Sequence, residues 1–571
     1  IDVGTLTPKN VNLSATANLN QPAPSSARFE FTLEGPGGEI QSVNDTDAGA
    51  TASADFSPAG AIDADQNYTV TVSSELYDDA STETYVAPNG SGTPTFPVAY
   101  VGLTSISRCR TINASNAPAD GLVNLTGDIT DSSATSCIDI ETNDVTFDAG
   151  GNEINSDGTG GVAVDVEDPS SPDGTQNVNV ENLTVTGWEH GVIYEDADDG
   201  TVSDAELNSN EVGLLLNGTS EGNLVTSTTV ESNVRTAIEI SAPGNKMNDT
   251  VLNSNGTPFQ VSGLKVLAED NTVENVTLSN SGKDGVYVNA SGNVLRDLDI
   301  TDSGRDGVRV DSDGGNTSLT DLTVRDTSSR GIFLTRDANR TEITNATVIG
   351  TGTSPQHPAV QVNSSLNRIT NVTARAEYSD SVYVEGTGNV LRDVNASNGP
   401  IRGLLAEGAN TTVTSSVFND NELAGAVSSR GNSSVFEDVV ASNNGQDDGA
   451  GIAVASSSTL LTNVTANGNT QYGVAVSGRF GGVKNKINDS ETLGNGDNGI
   501  TVTGDRTEIV NVNASQNAKG GVNLSSSGNV LNEVTANGNG DGVTVNNDNN
   551  TITELTANEN DRSGIDVDVS S

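Results

Sequence analysis

The 571-residue chain has very little of what cofactor sites and ordinary cores are built from. It holds two Cys, two His, one Met and one Trp, and aromatics make up only 4%. So few thiolate and imidazole ligands exclude a zinc, haem or copper centre, and no cofactor is implied. No apolar run has the length of a membrane-crossing helix. Cations are scarce, with 26 Lys and Arg against 77 Asp and Glu, for a formal charge of −51. That charge repels nucleic acid and anionic membrane surfaces, and it weighs against acidic polysaccharides as ligands. Helical spacing of Leu, Ala, Glu and Lys is also missing. A hydrophobic content of 33% with this charge would suit a disordered chain, but the order of the residues rejects that reading.

What is present is a repeat rich in Gly, Asn, Ser and Thr. Recurring Asn residues divide the chain at Asn271, Asn293, Asn316, Asn339, Asn367, Asn389, Asn410 and Asn432, in steps of 22, 23, 23, 28, 22, 21 and 22. About a dozen residues after most of these comes Gly with an alternating apolar strand, as in Gly285-Val-Tyr-Val288, Gly307-Val-Arg-Val310 and Gly331-Ile-Phe-Leu334. A short coil with two or three strands and tight turns is the period of a parallel β-helix. Asn and Gly tolerate the left-handed backbone of such turns, and stacked Asn amides form a ladder from coil to coil. Inward Val, Ile and Leu stack in aliphatic columns. The expectation is 17–18 coils of about 22 residues, a stack roughly 85 Å long at about 4.8 Å per coil.

Three segments follow from this. Residues 1–97 lack the repeat and show alternating strands, such as Ala27–Leu33 with Phe29, Phe31 and Leu33 on one face. They are expected to form a small immunoglobulin-like or fibronectin-like β-sandwich. Residues 98–136 are read as a linker and a cap over the solenoid, and 137–571 as the β-helix. Cys109 and Cys137 are the only cysteines, and such an isolated pair in an exported protein is expected to be a disulfide, against the alternative of two buried thiols. The chain starts at Ile1, read as a processed, exported product found outside the cell or on its surface.

The runs Val123–Ile129, Cys137–Ile140 and Asn143–Ile154 resemble the first coils of NosD/CASH-type right-handed β-helix proteins, which occur as surface and secreted proteins of halophilic archaea. The resemblance covers about residues 105–571. It implies the right-handed β-helix fold and, loosely, association with carbohydrate. An acid-rich, Lys-poor surface suits high salt, where the Debye length falls to about 3 Å at 1 M.

The catalytic motifs of β-helix polysaccharide lyases and hydrolases are absent, so no catalytic residue and no metal set is assigned. Two segments are candidate ligand sites. Trp188, Glu189, His190 and Tyr194, with Glu195 and Asp196, would place rings beside carboxylates where a sugar stacks. Asp311–Asn316 offers hard oxygen ligands of the kind Ca²⁺ takes. His357 stands alone as a turn residue. Of 25 Asn-x-Ser/Thr sequons, Asn124, Asn182, Asn275, Asn345, Asn371, Asn463 and Asn513 are taken as candidate glycosylation sites.

Two functions are expected. The first is a non-enzymatic structural or adhesive surface protein. It would self-associate end to end as a filament subunit, through the regular last coil at Gly564–Val569 and a donated strand such as Val11–Leu19. The second is a carbohydrate-active β-helix protein, a polysaccharide binder, lyase or hydrolase. Its ligand would lie at the longer turns, Asp157–Gln176, Gly350–Pro358, Asn443–Ala450 and Ser477–Val483.

Overall fold

The computed structural model describes residues 104–568, apart from 115, 119–120, 172–173, 257–260, 312, 446–448 and 479–482, together with strands between residues 2 and 86. The chain is all-β, a right-handed parallel β-solenoid of about 19 turns, and no helix occurs among the described residues. Two compact units, Ile1–Thr228 and Thr229–Ser571, are taken in turn.

In the first unit, seven strands precede the solenoid and form an antiparallel three-stranded and an antiparallel four-stranded sheet. The strand Leu13–Asn18 is paired on one side with Asp2–Val3 and on the other with Thr51–Phe56. Both of its edges are therefore occupied within this chain. The expected linker, Pro88 through Pro97, lies outside the described residues. The coils begin earlier than residue 137. Strand Arg110–Asn113 already pairs in parallel with Ser136–Glu141, so the cap is itself a coil and the turn count exceeds expectation. The disulfide Cys109–Cys137 ties these two coils together. Asp157–Gln176 is not one long turn, because Val162–Val166 is a strand paired with His190–Glu195.

In the second unit the coils up to residue 395 each contribute one longer strand, such as Val294–Thr301, and one short strand, such as Val308–Val310; in several later coils both strands are short. Alternation fixes the inward set. Val273, Leu295, Leu319, Ile343, Ile369 and Leu391 are in register on successive coils and fully buried. Val286, Val308, Ile332, Val360 and Val382 make a second such column. Each buried aliphatic side chain contributes roughly 1.5–3 kcal/mol, which is how a core nearly free of aromatics holds.

The longer strands break their alternation once. Val273 and Val276 both point inward, with Asn275 between them at φ 50°. The same position holds Asp297, Asp321, Asn345, Asn371 and Asp393, all at φ between 51° and 56°. Left-handed backbone favours Asn and Asp among residues with a side chain, which explains the acid or amide before an apolar residue in these coils.

Two Asn ladders run inside the turns. In one, the backbone N–H of Asn245 donates to Asn271 Oδ1 and that of Asn271 to Asn293 Oδ1, each at 2.8 Å. Asn367 and Asn389 continue this column at 2.8 Å, with Thr317 and Thr341 buried between. Asn316, Asn339, Asn410 and Asn432 were expected in it but sit one or two residues upstream of the buried position, which Thr317, Thr341, Thr411 and Ser434 fill. Of the sequence step of 28 between Asn339 and Asn367, two residues are this mismatch and the rest is a coil of 26 residues. The second ladder is longer and was missed. Asn421, Asn444, Asn469, Asn495, Asn517, Asn539 and Asn560 pass backbone N–H bonds to the next Oδ1 at 2.7–2.9 Å.

Candidate functional site

The sequence-derived cluster does not form a binding surface. Trp188 is 1% exposed and donates its indole N–H to Ile154 O at 3.1 Å. Its ring occupies the space that Gly160 leaves free, since a Cβ there would lie 2.5 Å from it. Tyr194 is also buried and donates its hydroxyl to Val178 O at 2.8 Å, with burial pushing the phenol well above its ordinary range. Both rings are core packing in a wide coil. Glu189 stays exposed and His190 half-buried.

The first unit does hold a carboxylate stack. Asp139 and Asp165 are register partners on adjacent coils, with Glu141, Glu167 and Glu195 close by. Burial, then the charges of Asp139, Glu167, Glu195 and Glu141, push Asp165 up to about 7. Among the described residues no group of three or more His, Cys, Asp or Glu is placed to hold a metal ion. Asp311, the first residue of the candidate Ca²⁺ segment, accepts instead from Thr335 at 2.8 Å, Tyr287 at 3.1 Å and Arg309 at 3.2 Å. Burial raises its pKa, but these hydrogen bonds and the Arg309 charge outweigh it and hold the carboxyl below the usual range.

A different face, in the second unit, gathers functional side chains. Each short strand reads apolar-x-apolar, and x points outward. In register on successive coils, x is Glu239, Lys265, Tyr287, Arg309, Phe333, Gln361 and Tyr383. The same column continues as Leu405, Val427, Ala453 and Ala475. The aromatic and long polar side chains thus fall on consecutive coils, and shorter polar groups, Thr501, Asn523, Thr544 and Asp566, return in the column beyond Ala475.

These side chains are held in place. The guanidinium of Arg330 lies 4.2 Å from the Phe333 ring centroid and that of Arg309 lies 5.1 Å from it, which leaves an outward Phe only 8% exposed. Arg330 also donates to Gln361 Oε1. Tyr383 donates to Glu407 Oε2 at 3.0 Å, and burial followed by that bond raises its pKa. Arg305 binds Asp284 through both nitrogens, at 2.7 and 2.6 Å. Burial outweighs Arg305 and keeps the Asp284 carboxyl above its ordinary range; the same balance holds for Asp380 beside Arg402. Asp306 is wholly buried beneath Arg305, Arg309 and Arg330. His357 closes this flank from the turn at Gly350–Pro358, and burial and then Arg330, opposed by Asp306, lower its pKa. Of the four long turns, this one borders the face. Parts of Asn443–Ala450 and Ser477–Val483 lie outside the described residues.

The candidate sequons are not equivalent. Asn182, Asn275, Asn345, Asn371 and Asn463 are exposed, at the left-handed turn position with φ between 49° and 55°. Asn124 and Asn513 are half-buried.

A family model described as a right-handed beta helix region matches residues 262–390 and 330–485, a span that contains the outward column. No curated protein matches the chain. Among solved structures it is similar to the catalytic domain of a GH87 α-1,3-glucanase in complex with nigerose, at 11% identity and TM-score 0.31, covering 80% of this chain and 96% of that one. It is also similar to the A-module of the mannuronan C-5 epimerase AlgE6 of Azotobacter vinelandii, at 13% identity and TM-score 0.29, covering 66% and 90%. A third is the tailspike protein gp49 of Pseudomonas phage LKA1, at 12% identity and TM-score 0.27, covering 86% and 64%. The expectation of a non-enzymatic chain is corrected here. A glucanase and an epimerase stand among the similar structures. The chain is a right-handed β-helix protein. No helix among its described residues is long and apolar enough to cross a membrane.

Proposed function

We propose that this β-helix protein binds polysaccharide along the outward column Lys265, Tyr287, Arg309, Phe333, Gln361 and Tyr383. The observation that carries the reading is the run of these large side chains on consecutive coils, where the same column then holds Leu, Val and Ala. Coils repeat at about 4.8 Å, close to the length of one sugar unit in an extended chain, so each coil offers one side chain per sugar. Anchored hydroxyls and ion-paired guanidiniums are pre-ordered, which lowers the entropy lost on binding. This takes up the carbohydrate-active expectation in preference to the filament subunit. The disulfide and the exposed sequons support an exported location, and the acid-rich surface supports a high-salt environment.

The test is affinity electrophoresis of the full chain in gels carrying neutral and acidic polysaccharides, with product analysis of the same incubations. Retardation that disappears in Tyr287→Ala with Tyr383→Ala supports the reading, and product release would add turnover to it. Unretarded migration in every gel overturns it.

A further inference from the structure

The chemical class of the ligand follows from one part of this face. Lys265, Lys283, Arg305 and Arg309 line a depression of about 350 Å³ together with Tyr287, Ser262, Val261 and Asp311. Four of its charged lining residues are cations and one is a carboxylate, in a chain where acids outnumber bases 77 to 26. The balancing acids lie mostly behind the surface. Asp284 and Asp306 are fully buried, while the Arg305 guanidinium above them is 32% exposed and that of Arg309 21%. Lys265 pairs with Glu239 at 2.9 Å. Lys283, a half-buried lining residue, has no ion-pair partner within 4 Å among the described residues.

We infer that this depression receives the anionic group of an acidic polysaccharide, a uronate carboxylate or a sulfate ester, and that Lys283 forms the new ion pair with it. The inference rests on the polysaccharide-binding reading above. Supported arginines present fixed N–H donors that suit a planar carboxylate or a sulfate, and Tyr287, tied to Asp311, stands beside them. The repulsion expected from a charge of −51 is a long-range effect, cut off within about 8 Å at physiological salt. At contact a ligand meets Lys283 and the outward sides of the paired Lys265, Arg305 and Arg309, with Asp284 and Asp306 buried behind them.

The experiment compares binding of the full chain to polygalacturonate and to its carboxyl-reduced neutral counterpart, with dextran sulfate and dextran as a second pair. Lys283→Ala and, as a distant control, Lys486→Ala are measured beside the wild type. The expected result is binding to at least one anionic polymer about tenfold tighter than to its neutral partner. Lys283→Ala should lose that margin while Lys486→Ala keeps it, and binding should weaken as salt rises. Equal affinity for anionic and neutral partners would overturn the inference and leave polysaccharide binding standing. An anionic preference unmoved by Lys283→Ala would overturn the assignment to this depression. Binding to none of the four polymers would overturn the inference, while retardation by any other glycan in the electrophoresis gels would keep the broader reading.

Discussion

Asn469→Ala tests the buried amide ladder most severely. Asn469 Oδ1 accepts from the backbone N–H of Asn444 at 2.9 Å and from its Nδ2 at 3.0 Å. Its own Nδ2 donates to Asn495 Oδ1 at 3.1 Å, an oxygen that also takes the Asn469 backbone N–H at 2.9 Å. Alanine removes three hydrogen bonds and leaves two buried donors of Asn444 without that acceptor. Each buried, unsatisfied donor costs about 1–3 kcal/mol, while Asn495 Oδ1 keeps one partner. The expected loss is about 3–5 kcal/mol in denaturant unfolding of the full chain. Asn463→Ala on the exposed turn of the same coil removes one exposed bond to Asp438 and sets Ala on left-handed backbone, and should cost about 1–2 kcal/mol. Amide hydrogen exchange should show the loss centred on the coils flanking residue 469, since a solenoid couples mainly nearest neighbours. A loss no larger than that of Asn463→Ala would refute the claim that the ladder holds the turns.

Three further outcomes follow. The Asp165 carboxyl is raised from 3.8 to about 7 in the fold, so the folded form holds its proton more tightly than the unfolded chain. Its stabilisation is complete below about pH 4 and is lost as pH rises through 7, a change of about 1–2 kcal/mol after solvent screening; Asp165→Asn should raise the melting temperature at pH 8 and flatten its pH dependence, and an unchanged profile would contradict this. Glycopeptide mapping of protein from its native source is expected to find glycans at Asn182, Asn275, Asn345, Asn371 or Asn463 and none at Asn255, whose sequon Asn is 1% exposed and donates to Val230 O at 2.8 Å. Asn345 and Asn371 lie on adjacent coils, bonded at 2.8 Å, and should not both be modified in one molecule. Reducing Cys109–Cys137, which closes a 28-residue separation, should cost the coil at 104–113 about 3–4 kcal/mol; that coil's amide exchange should accelerate, while exchange in 229–571 stays the same.

The solenoid was legible in the sequence because its signal is repeated many times. Gly-Val-Tyr-Val and its relatives state the inward columns directly, and the period states the coil. The ladder was half legible, because sequence spacing cannot tell a buried Asn from an exposed one a residue or two away. Asn410 and Thr411 are adjacent, and only the register shows which faces inward. Trp188 misled for a related reason. A lone aromatic beside acids reads the same in sequence whether it lies in a wide coil or on a face. The outward column is visible in the sequence as Tyr287, Arg309 and Phe333 between the inward apolar residues, but nothing in the strand pattern marks an outward position as functional. Its flank was hidden altogether, since Asp284, Asp306, Arg330 and His357 come from different coils and only the fold brings them together.

The most direct test of the account is a hydrogen-exchange footprint of the full chain, free and saturated with the polysaccharide that retards it most. Protection confined to the strands at 264–266, 286–288, 308–310, 332–334, 360–362 and 382–384 and their bordering turns is the predicted result. Protection centred elsewhere, on the coils beyond residue 405 or in the first unit, would contradict the assignment of this face as the place where the protein meets its ligand.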